Sequence, residues 1–193
     1  MLFRSERRVE ERTAELRNSE ERFRSVIENS PSAVVLKDVQ GRYQLVNHTY
    51  TEWLGLKRED VIGRTTFDIH PRPFAEESRL EDEEVLRTGQ AKEVAHKVRF
   101  ADGSLHDAVA TKFPVFGFDG KAIGVGLVAN DVTLRRKAEA ALRESEEKMR
   151  GAFANTSIGM MIRNMRDRTL VANDAICRML GYTRDEMENL HFN

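Results

Sequence analysis

The feature that most constrains this chain is an internal repeat with an offset of 126 residues. Residues 14–24, AELRNSEERFR, match residues 140–150, AALRESEEKMR, at seven of eleven positions. The match continues without a gap beyond these segments, where Asn47 meets Asn173. Sparse residues of this kind do not align through similar composition alone, so the repeating unit is a helix followed by a domain.

The repeat predicts one complete domain and a partial second copy, because the chain stops before the second copy reaches its later strands. We therefore expect a piece of a larger multidomain protein. The expected segments are an N-terminal helix at 1–29, a complete domain at 30–133, a connector helix at 134–154 and the truncated start of a second domain at 155–193.

Both helices carry a narrow apolar stripe of the coiled-coil type. The stripe of the N-terminal helix recurs every seven residues and comprises Leu2, Val9, Leu16 and Phe23. The connector stripe alternates spacings of four and three, which is typical of helices that pair with one another. We predict a parallel homodimer formed through these flanking helices. The connector seam comprises Ala138, Leu142, Ser145 and Met149.

The order of elements in the complete domain predicts its fold class. Two strand-like segments, at 33–37 and 42–46, are followed by short helices and then by a longer one. Three further strand-like segments, at 92–100, 104–116 and 121–132, are joined by Asp-Gly dipeptides that suit hairpin turns. This order predicts an α+β domain with a five-stranded antiparallel sheet and helices on one face.

Charge and cysteine content exclude several classes of protein. The 31 Lys and Arg residues balance 32 Asp and Glu residues with interleaved signs, so we expect no nucleic-acid partner. No apolar run is long enough for a membrane segment, and no signal-peptide pattern opens the chain. Cys177 is the lone cysteine, which excludes an internal disulfide and favours a cytoplasmic location.

Catalytic and metal-binding motifs are missing from the sequence. It contains no phosphate-binding loop, nucleophile elbow, zinc-protease motif or kinase phosphoacceptor motif. The five histidines are scattered, without the spacing of metal ligands. We therefore predict neither an enzyme active site nor a metal site within these 193 residues.

Several motifs occur in the order found in a known family. They are SEERFRSVIENSPSAVV at the entry, GRYQLVNHTYTEWLGL, DVIG at 60–63, the Asp-Gly hairpins, and Asp131-Val132-Thr133 at the exit from the sheet. Together they resemble the PAS sensory domains of bacterial signalling proteins, over residues 20–133 in full and 146–193 in part. The resemblance implies tandem sensory modules ahead of a histidine-kinase or cyclic-dinucleotide output region.

The exit motif places Asp131 and Thr133 at the start of the connector helix. Their side chains can accept hydrogen bonds from the first free N–H groups of that helix and fix its starting angle. One interpretation is an ordinary helix cap. The resemblance implies the other, a signal exit that sets the rotational phase of the output.

A small-molecule pocket is expected between the sheet and the helices. Its candidate residues either line such a pocket or fill the core completely. His96 shares the inward face of its strand, where it is either a core-edge histidine bonded to backbone or a ligand contact. The candidates are Leu36, Tyr43, Leu45, Phe67, Phe74, His96, Val98, Phe100, Val109, Thr111 and Val125.

The sequence leaves the cofactor unknown. Photosensing PAS relatives hold flavin beside a cysteine, and Thr66 stands at the corresponding position here. A hydroxyl cannot replace a thiolate, so flavin–thiol photochemistry is excluded. His70 or His96 could be nominated as a haem ligand, but a turn histidine and a core histidine are the more ordinary interpretations. A small metabolite is the remaining candidate.

The resulting hypothesis is a signal-transduction input module. It senses a small ligand or a partner and passes its state through the coiled-coil helix to a downstream output domain, a histidine kinase of a two-component phosphorelay. The alternatives are a ligand-free PAS dimerisation scaffold and the input region of a diguanylate cyclase or phosphodiesterase.

Overall fold

The structure, a computed structural model, describes residues 2–163 and 170–188. Side chains are described from residue 12 to residue 187 within these ranges. The chain divides into two compact units, Met1–Thr133 and Leu134–Asn193. The two ends of the chain and part of the predicted second domain, at 1, 164–169 and 189–193, therefore lie outside the described residues.

In the first unit a long helix precedes a five-stranded sheet. The helices are α1 (Leu2–Glu28), α2 (His48–Leu54), α3 (Arg58–Val61), α4 (Thr66–Ile69) and α5 (Arg72–Thr88). The strands are β1 (Ala33–Asp38), β2 (Tyr43–Val46), β3 (Lys92–Arg99), β4 (Leu105–Phe116) and β5 (Ala122–Asp131). Helices α2 to α5 thus lie in the chain between β2 and β3.

The sheet has the order β2-β1-β5-β4-β3, and every neighbouring pair is antiparallel. Helix α2 packs on β1, while α5 packs on β4 and β5. The core lies between this face of the sheet and the helices, and it contains Ala33, Val35, Tyr43, Val46, Tyr50, Val61, Val94, Ala110 and Ala129. The predicted α+β fold with a five-stranded antiparallel sheet is confirmed.

The last strand leads directly into a second long helix. The remaining elements are α6 (Thr133–Asn155), β6 (Met161–Arg163), β7 (Leu170–Ala172), α7 (Asp174–Leu180) and α8 (Arg184–Glu188). The connector seam is exposed along α6, with Leu142 at 62% and Met149 at 68%. Leu16 and Phe23 of α1 are likewise exposed, while the side chains of Leu2 and Val9 lie outside the described part.

Asn47 ties three elements together at the entry to the domain. Its side chain is fully buried. Oδ1 accepts from the backbone N–H of Val34 at 2.9 Å and of Tyr50 at 3.2 Å, and the second bond caps α2. Nδ2 donates to the carbonyl oxygens of Ile27 at 3.0 Å and Ser32 at 2.9 Å. One amide therefore joins the end of α1, the start of β1 and the start of α2.

Asn173 makes the same four bonds in the second unit. Oδ1 accepts from Met160 N at 2.9 Å and Ile176 N at 3.0 Å, while Nδ2 donates to Phe153 O at 2.9 Å and Ile158 O at 2.8 Å. Each partner lies 126 residues after its counterpart in the first unit. The sequence repeat is therefore also a repeat of hydrogen bonds.

Replacing Asn47 by Ala should lower the free energy of unfolding by about 3 kcal/mol, because the substitution leaves buried backbone groups without partners. The expected fall in melting temperature is on the order of 15 °C. Calorimetry on the full chain measures both. Asn29→Ala is the matched control, since Asn29 is exposed and its side chain donates to Ser25 O at 2.8 Å and to no other group among the described residues. Equal losses in the two variants would contradict the structural role of Asn47.

Candidate functional site

A cavity lies between the sheet and the helices because one row of the sheet carries small side chains. The strand register places Ala33, Ala129, Ala110 and Val94 side by side across β1, β5, β4 and β3. Interiors are otherwise close-packed, so a row of methyl groups leaves space that larger side chains would fill. The cavity measures about 60 Å³, which is room for roughly four water molecules.

The cavity wall is mostly apolar, with a few polar groups from both layers. Besides the three alanines of that row, it comprises Val35, Lys37, Tyr43, Tyr50, Trp53, Leu54, His70, Phe74, Ser78, His96, Val98, Ala108, Lys112 and Leu127. Four of the predicted pocket residues are therefore brought together here, namely Tyr43, Phe74, His96 and Val98.

Val109 and Thr111 lie on the opposite face of the sheet, which corrects their assignment to the pocket. The buried residues of β4 are instead Ala108, Ala110 and Lys112. The inward face of this strand is thus its less apolar face in composition. Sequence patterning selects the β-branched residues, and it fails here because small side chains and a paired lysine face the core.

Leu36 and Leu45 also lie outside the cavity. Leu36 is on the outer face because buried residues alternate regularly along β1, whereas Leu45 is there because of an irregularity in the pairing of β1 with β2. The register shifts between Leu36 and Lys37, so Lys37 pairs with Tyr43 while Leu36 pairs with Leu45. Such a bulge reverses the side on which later residues of a strand point. Tyr43 is therefore buried against the helices, whereas Leu45 is only half-buried.

The remaining three candidates surround the cavity without lining it. Phe67 is 45% exposed and borders a separate surface recess together with the buried Val125. Phe100 is half-buried and stacks on Trp53, with ring centroids 4.9 Å apart. These placements correct the prediction for all three residues.

A buried ion-pair network forms one wall of the cavity. Lys37 and Lys112 are only 4% and 1% exposed. Asp82 of α5 lies between them: Oδ2 accepts from Lys37 Nζ at 2.9 Å, and Oδ1 accepts from Lys112 Nζ at 2.7 Å. Burial lowers the pKa of Lys37, and the negative charge of Asp82 opposes that shift. The carboxylate thereby attaches α5 to two strands.

Glu81 extends the network to the next strand. Its Oε2 lies 2.9 Å from Lys112 Nζ and 3.1 Å from His96 Nε2. The other ring nitrogen of His96, Nδ1, lies 3.5 Å from Glu77 Oε2. His96 thus contacts two carboxylates, where the sequence interpretation offered a backbone bond or a ligand.

Glu77, Glu81 and His96 could together offer three ligand atoms to a metal ion. The ammonium of Lys112 already lies 2.9 Å from the Glu81 oxygen that such an ion would need. Two cations that share one buried oxygen repel each other strongly. Ion pairing is therefore the better explanation of this cluster.

Sequence reasoning missed the buried lysines. The available signal was the period-two spacing that places Lys37 in line with Ala33 and Val35, and Lys112 in line with Ala108 and Ala110. Lysine is almost never fully buried without a partner. Asp82 and Glu81, which supply the partners, come from a distant helix that period-two spacing does not identify.

A chain of hydroxyls and imidazole forms a second polar wall. The hydroxyl of Tyr50 donates to the Tyr43 hydroxyl at 2.8 Å, and Tyr50 Oη lies 3.0 Å from His70 Nε2. Burial, together with the neighbouring Lys37 and His96, lowers the pKa of His70 to about 4. Burial also raises the pKa of the Tyr50 hydroxyl. His70 is therefore neutral at pH 7.

The predicted signal exit forms a cap, although its two residues have different roles. Asp131 Oδ1 accepts from the backbone N–H of Thr133 at 2.9 Å, and Oδ2 accepts from His106 Nδ1 at 2.7 Å. Burial would raise the pKa of Asp131, but the bonds from Thr133 and His106 outweigh it and lower that pKa. Thr133 Oγ1 instead accepts from Asp107 N at 2.7 Å. It therefore bonds β4 and not the helix, which corrects half of the prediction.

A continuous series of contacts joins the cavity wall to this cap. Trp53 lines the cavity and stacks on Phe100, whose ring lies 3.8 Å from that of His106 at an angle of 4°. His106 then bonds Asp131. Each step is a direct contact between side chains.

The model of the PAS fold family matches residues 27–137, more than half of the chain. The chain belongs to the PAS family. A PAS domain model also matches residues 147–192. The resemblance identified from the motifs is thus confirmed in both regions.

Two relatives carry named activities. Probable histidine kinase 1 of Oryza sativa subsp. indica is 28% identical over 85% of this chain and 17% of its own length. The cyclic di-GMP phosphodiesterase PdeR of Escherichia coli K12 is 30% identical over 61% of this chain and 18% of its own length. The chain thus spans less than a fifth of the curated relatives that it matches.

Solved structures of the receptor VqmA are also similar. VqmA bound to DPO is 26% identical, with a TM-score of 0.53 over 85% of this chain and 72% of that one. The Vibrio cholerae VqmA dimer without its target DNA is 25% identical, with a TM-score of 0.54 over 85% of this chain and 74% of that one. These likenesses to a DNA-binding receptor overturn the exclusion of nucleic acid, because balanced charge in an input segment does not restrict an output domain.

Every helix among the described residues is too short or too polar to span a lipid bilayer.

Replacing Lys112 by Met should lower the free energy of unfolding by about 3 kcal/mol, because Glu81 and Asp82 lose a buried counter-charge. Adding Glu81→Gln should recover part of that loss. Urea denaturation measures both. Lys97→Met is the control, since its exposed pair with Asp107 contributes at most about 1 kcal/mol. Similar small losses in the free energy of unfolding for Lys112→Met and Lys97→Met would mean that the network is solvated.

The PAS domain should lose stability as the pH falls from about 6.5 toward 4, because the unfolded chain protonates His70 while the folded domain does not. His70→Gln should remove on the order of 1–2 kcal/mol of this loss between pH 7 and pH 5. Denaturation at a series of pH values measures the slope. His48→Gln is the control, because His48 is exposed. If the stability of the wild type and of His70→Gln depends equally on pH, the lowered pKa of His70 is refuted.

Proposed function

We propose that this chain is the sensory input region of a larger signalling protein. In this proposal the core cavity of the first PAS domain binds a small molecule, and α6 transmits the occupied state to an output domain. The observation that carries the proposal is the continuous series of contacts between the cavity wall and the start of α6. The cavity wall includes Trp53, and the contacts through Phe100 and His106 end at the Asp131 cap of α6.

The coupling follows from how packed side chains respond to displacement. A ligand that moves Trp53 also moves Phe100, because stacked rings in a close-packed region cannot shift independently. His106 lies flat against Phe100 and holds one oxygen of Asp131, whose other oxygen fixes the first N–H of α6. Two positions of this stack would give two starting angles of the helix.

In this proposal the exposed seam of α6 transmits the change from the cap toward the output domain. Its small and apolar residues alternate at coiled-coil spacing, and the side chains are exposed in the single chain. We infer that two copies pair in parallel along this seam, so a change in starting angle rotates the residues that follow. The homodimer remains part of the proposal.

The output that best suits the chain is a histidine kinase. The histidine-kinase relatives match 85% of the chain, a share that takes in both PAS regions. We infer that these 193 residues carry no catalytic step of their own and that the module acts in the cytoplasm, where its single cysteine stays reduced.

A DNA-binding output is the second candidate, and the likeness to VqmA favours it. A cyclic di-GMP phosphodiesterase output is the third, from the likeness to PdeR. All three share the same input mechanism, so the test concerns the cavity rather than the output. A scaffold that binds nothing is the alternative that the test must exclude.

Ala110→Leu should abolish small-molecule binding, because the added side-chain atoms occupy the cavity floor. Thr111→Leu is its matched control, one residue along β4 but exposed on the other face. A metabolite screen by thermal shift on the full chain measures binding, since a ligand at 100 times its dissociation constant adds about 2.7 kcal/mol.

We expect the wild type and Thr111→Leu to share the same stabilising metabolites and Ala110→Leu to lose them. In a histidine-kinase fusion, Ala110→Leu should also make autophosphorylation unresponsive to those metabolites. A screen without any stabilising metabolite would support the ligand-free scaffold instead. Stabilisation that Ala110→Leu keeps would place the ligand outside this cavity and contradict the proposal.

A further inference from the structure

Lys37 has one N–H group that its protein partners scarcely use. A lysine ammonium carries three hydrogens. Two of them are taken by Thr66 Oγ1 at 2.8 Å and Asp82 Oδ2 at 2.9 Å. The third has Ser78 Oγ at 3.5 Å, which is at the outer limit of a hydrogen bond, and the Tyr43 ring, whose centroid lies 5.2 Å from Nζ. Because Lys37 lines the cavity, this N–H is available to a molecule bound there.

Lys112 differs from Lys37 in this respect. Its ammonium lies within 2.7–2.9 Å of four acceptor oxygens, two from Ser78 and one each from Glu81 and Asp82. Three hydrogens already serve four acceptors, so Lys112 has nothing left to donate. The spare donor of this wall therefore belongs to Lys37.

The charges around the cavity are already balanced. Asp82 pairs with Lys37 and Glu81 with Lys112, while the carboxylate of Glu77 beside His96 is 63% exposed and remains solvated. A bound anion or cation would add a charge without a counter-charge in an interior of low dielectric constant. A neutral molecule avoids this cost.

We propose that the cavity selects a small neutral molecule with one hydrogen-bond acceptor, such as a short ketone, and that Lys37 donates to that acceptor. The inference rests on the proposed function, because it names the class of ligand for the same cavity. The volume of about 60 Å³ suits a molecule of roughly four to six non-hydrogen atoms. Val35, Phe74 and Leu127 contact its apolar part.

Four probes with the same number of non-hydrogen atoms separate the ligand classes. They are butanone, propionate, isobutylamine and isopentane, which are respectively neutral with an acceptor, anionic, cationic and apolar at pH 7. Each is titrated into the full chain and followed by NMR, which also reports the ammonium resonance of Lys37. Lys37→Met removes the donor, and Lys97→Met on the exposed face is its control.

We expect butanone to bind at least about tenfold more tightly than propionate and isobutylamine, and to shift the Lys37 ammonium resonance, whereas isopentane leaves that resonance unchanged. Lys37→Met should weaken butanone binding about tenfold and leave isopentane binding as it was. Lys97→Met should change neither. The resonance measurement uses the wild type, so it stands even if Lys37→Met fails to fold.

Preference for propionate or isobutylamine would overturn the inference while leaving a ligand-binding cavity in place. So would butanone binding that leaves the Lys37 resonance unmoved. If none of the four probes binds, and the metabolite screen also finds no ligand that stabilises the wild type more than Ala110→Leu, the proposed function fails together with the inference.

Discussion

Asp82 bridges two lysines from different strands, and the position of α5 depends on that bridge. One carboxylate holds Lys37 of β1 and Lys112 of β4 at 2.9 Å and 2.7 Å. Buried ion pairs of this kind contribute little net stability, because desolvation offsets their attraction. They do restrict geometry, since a buried charge that loses its partner is costly. The bridge therefore fixes where α5 lies above the sheet, and the cavity is the space left over the row of alanines.

The same arrangement supports the proposal that the domain transmits the state of its cavity. Polar groups on the cavity wall are bonded to one another, so a ligand meets a rigid surface apart from the spare N–H of Lys37. The aromatic contacts from Trp53 to His106 run toward the Asp131 cap. A ligand can shift an equilibrium only by the difference in its affinity for two states. In this account those states are two positions of the aromatic stack.

Much of the fold could be predicted from the sequence, because its signals are local. Asp-Gly dipeptides predicted the hairpins, and the match of Asn47 with Asn173 predicted the repeat, in which both residues prove to be helix caps. The site was predicted less well because its determinants are long-range. Which face of β4 is buried depends on Asp82 and Glu81, which neutralise Lys112 from a helix some thirty residues earlier in the chain. The outward position of Leu45 depends on a bulge in β2 that no residue pattern predicts.

The central claim is that the state of the cavity reaches the first turn of α6 through the stacked rings. Hydrogen exchange of the Thr133 amide, which donates to Asp131, tests it most directly. Filling the cavity with Ala110→Leu should change that exchange rate at least about threefold. Adding Phe100→Leu, which breaks the stack, should cancel the change. An exchange rate that Ala110→Leu leaves unaltered, or that responds equally without Phe100, would contradict the account.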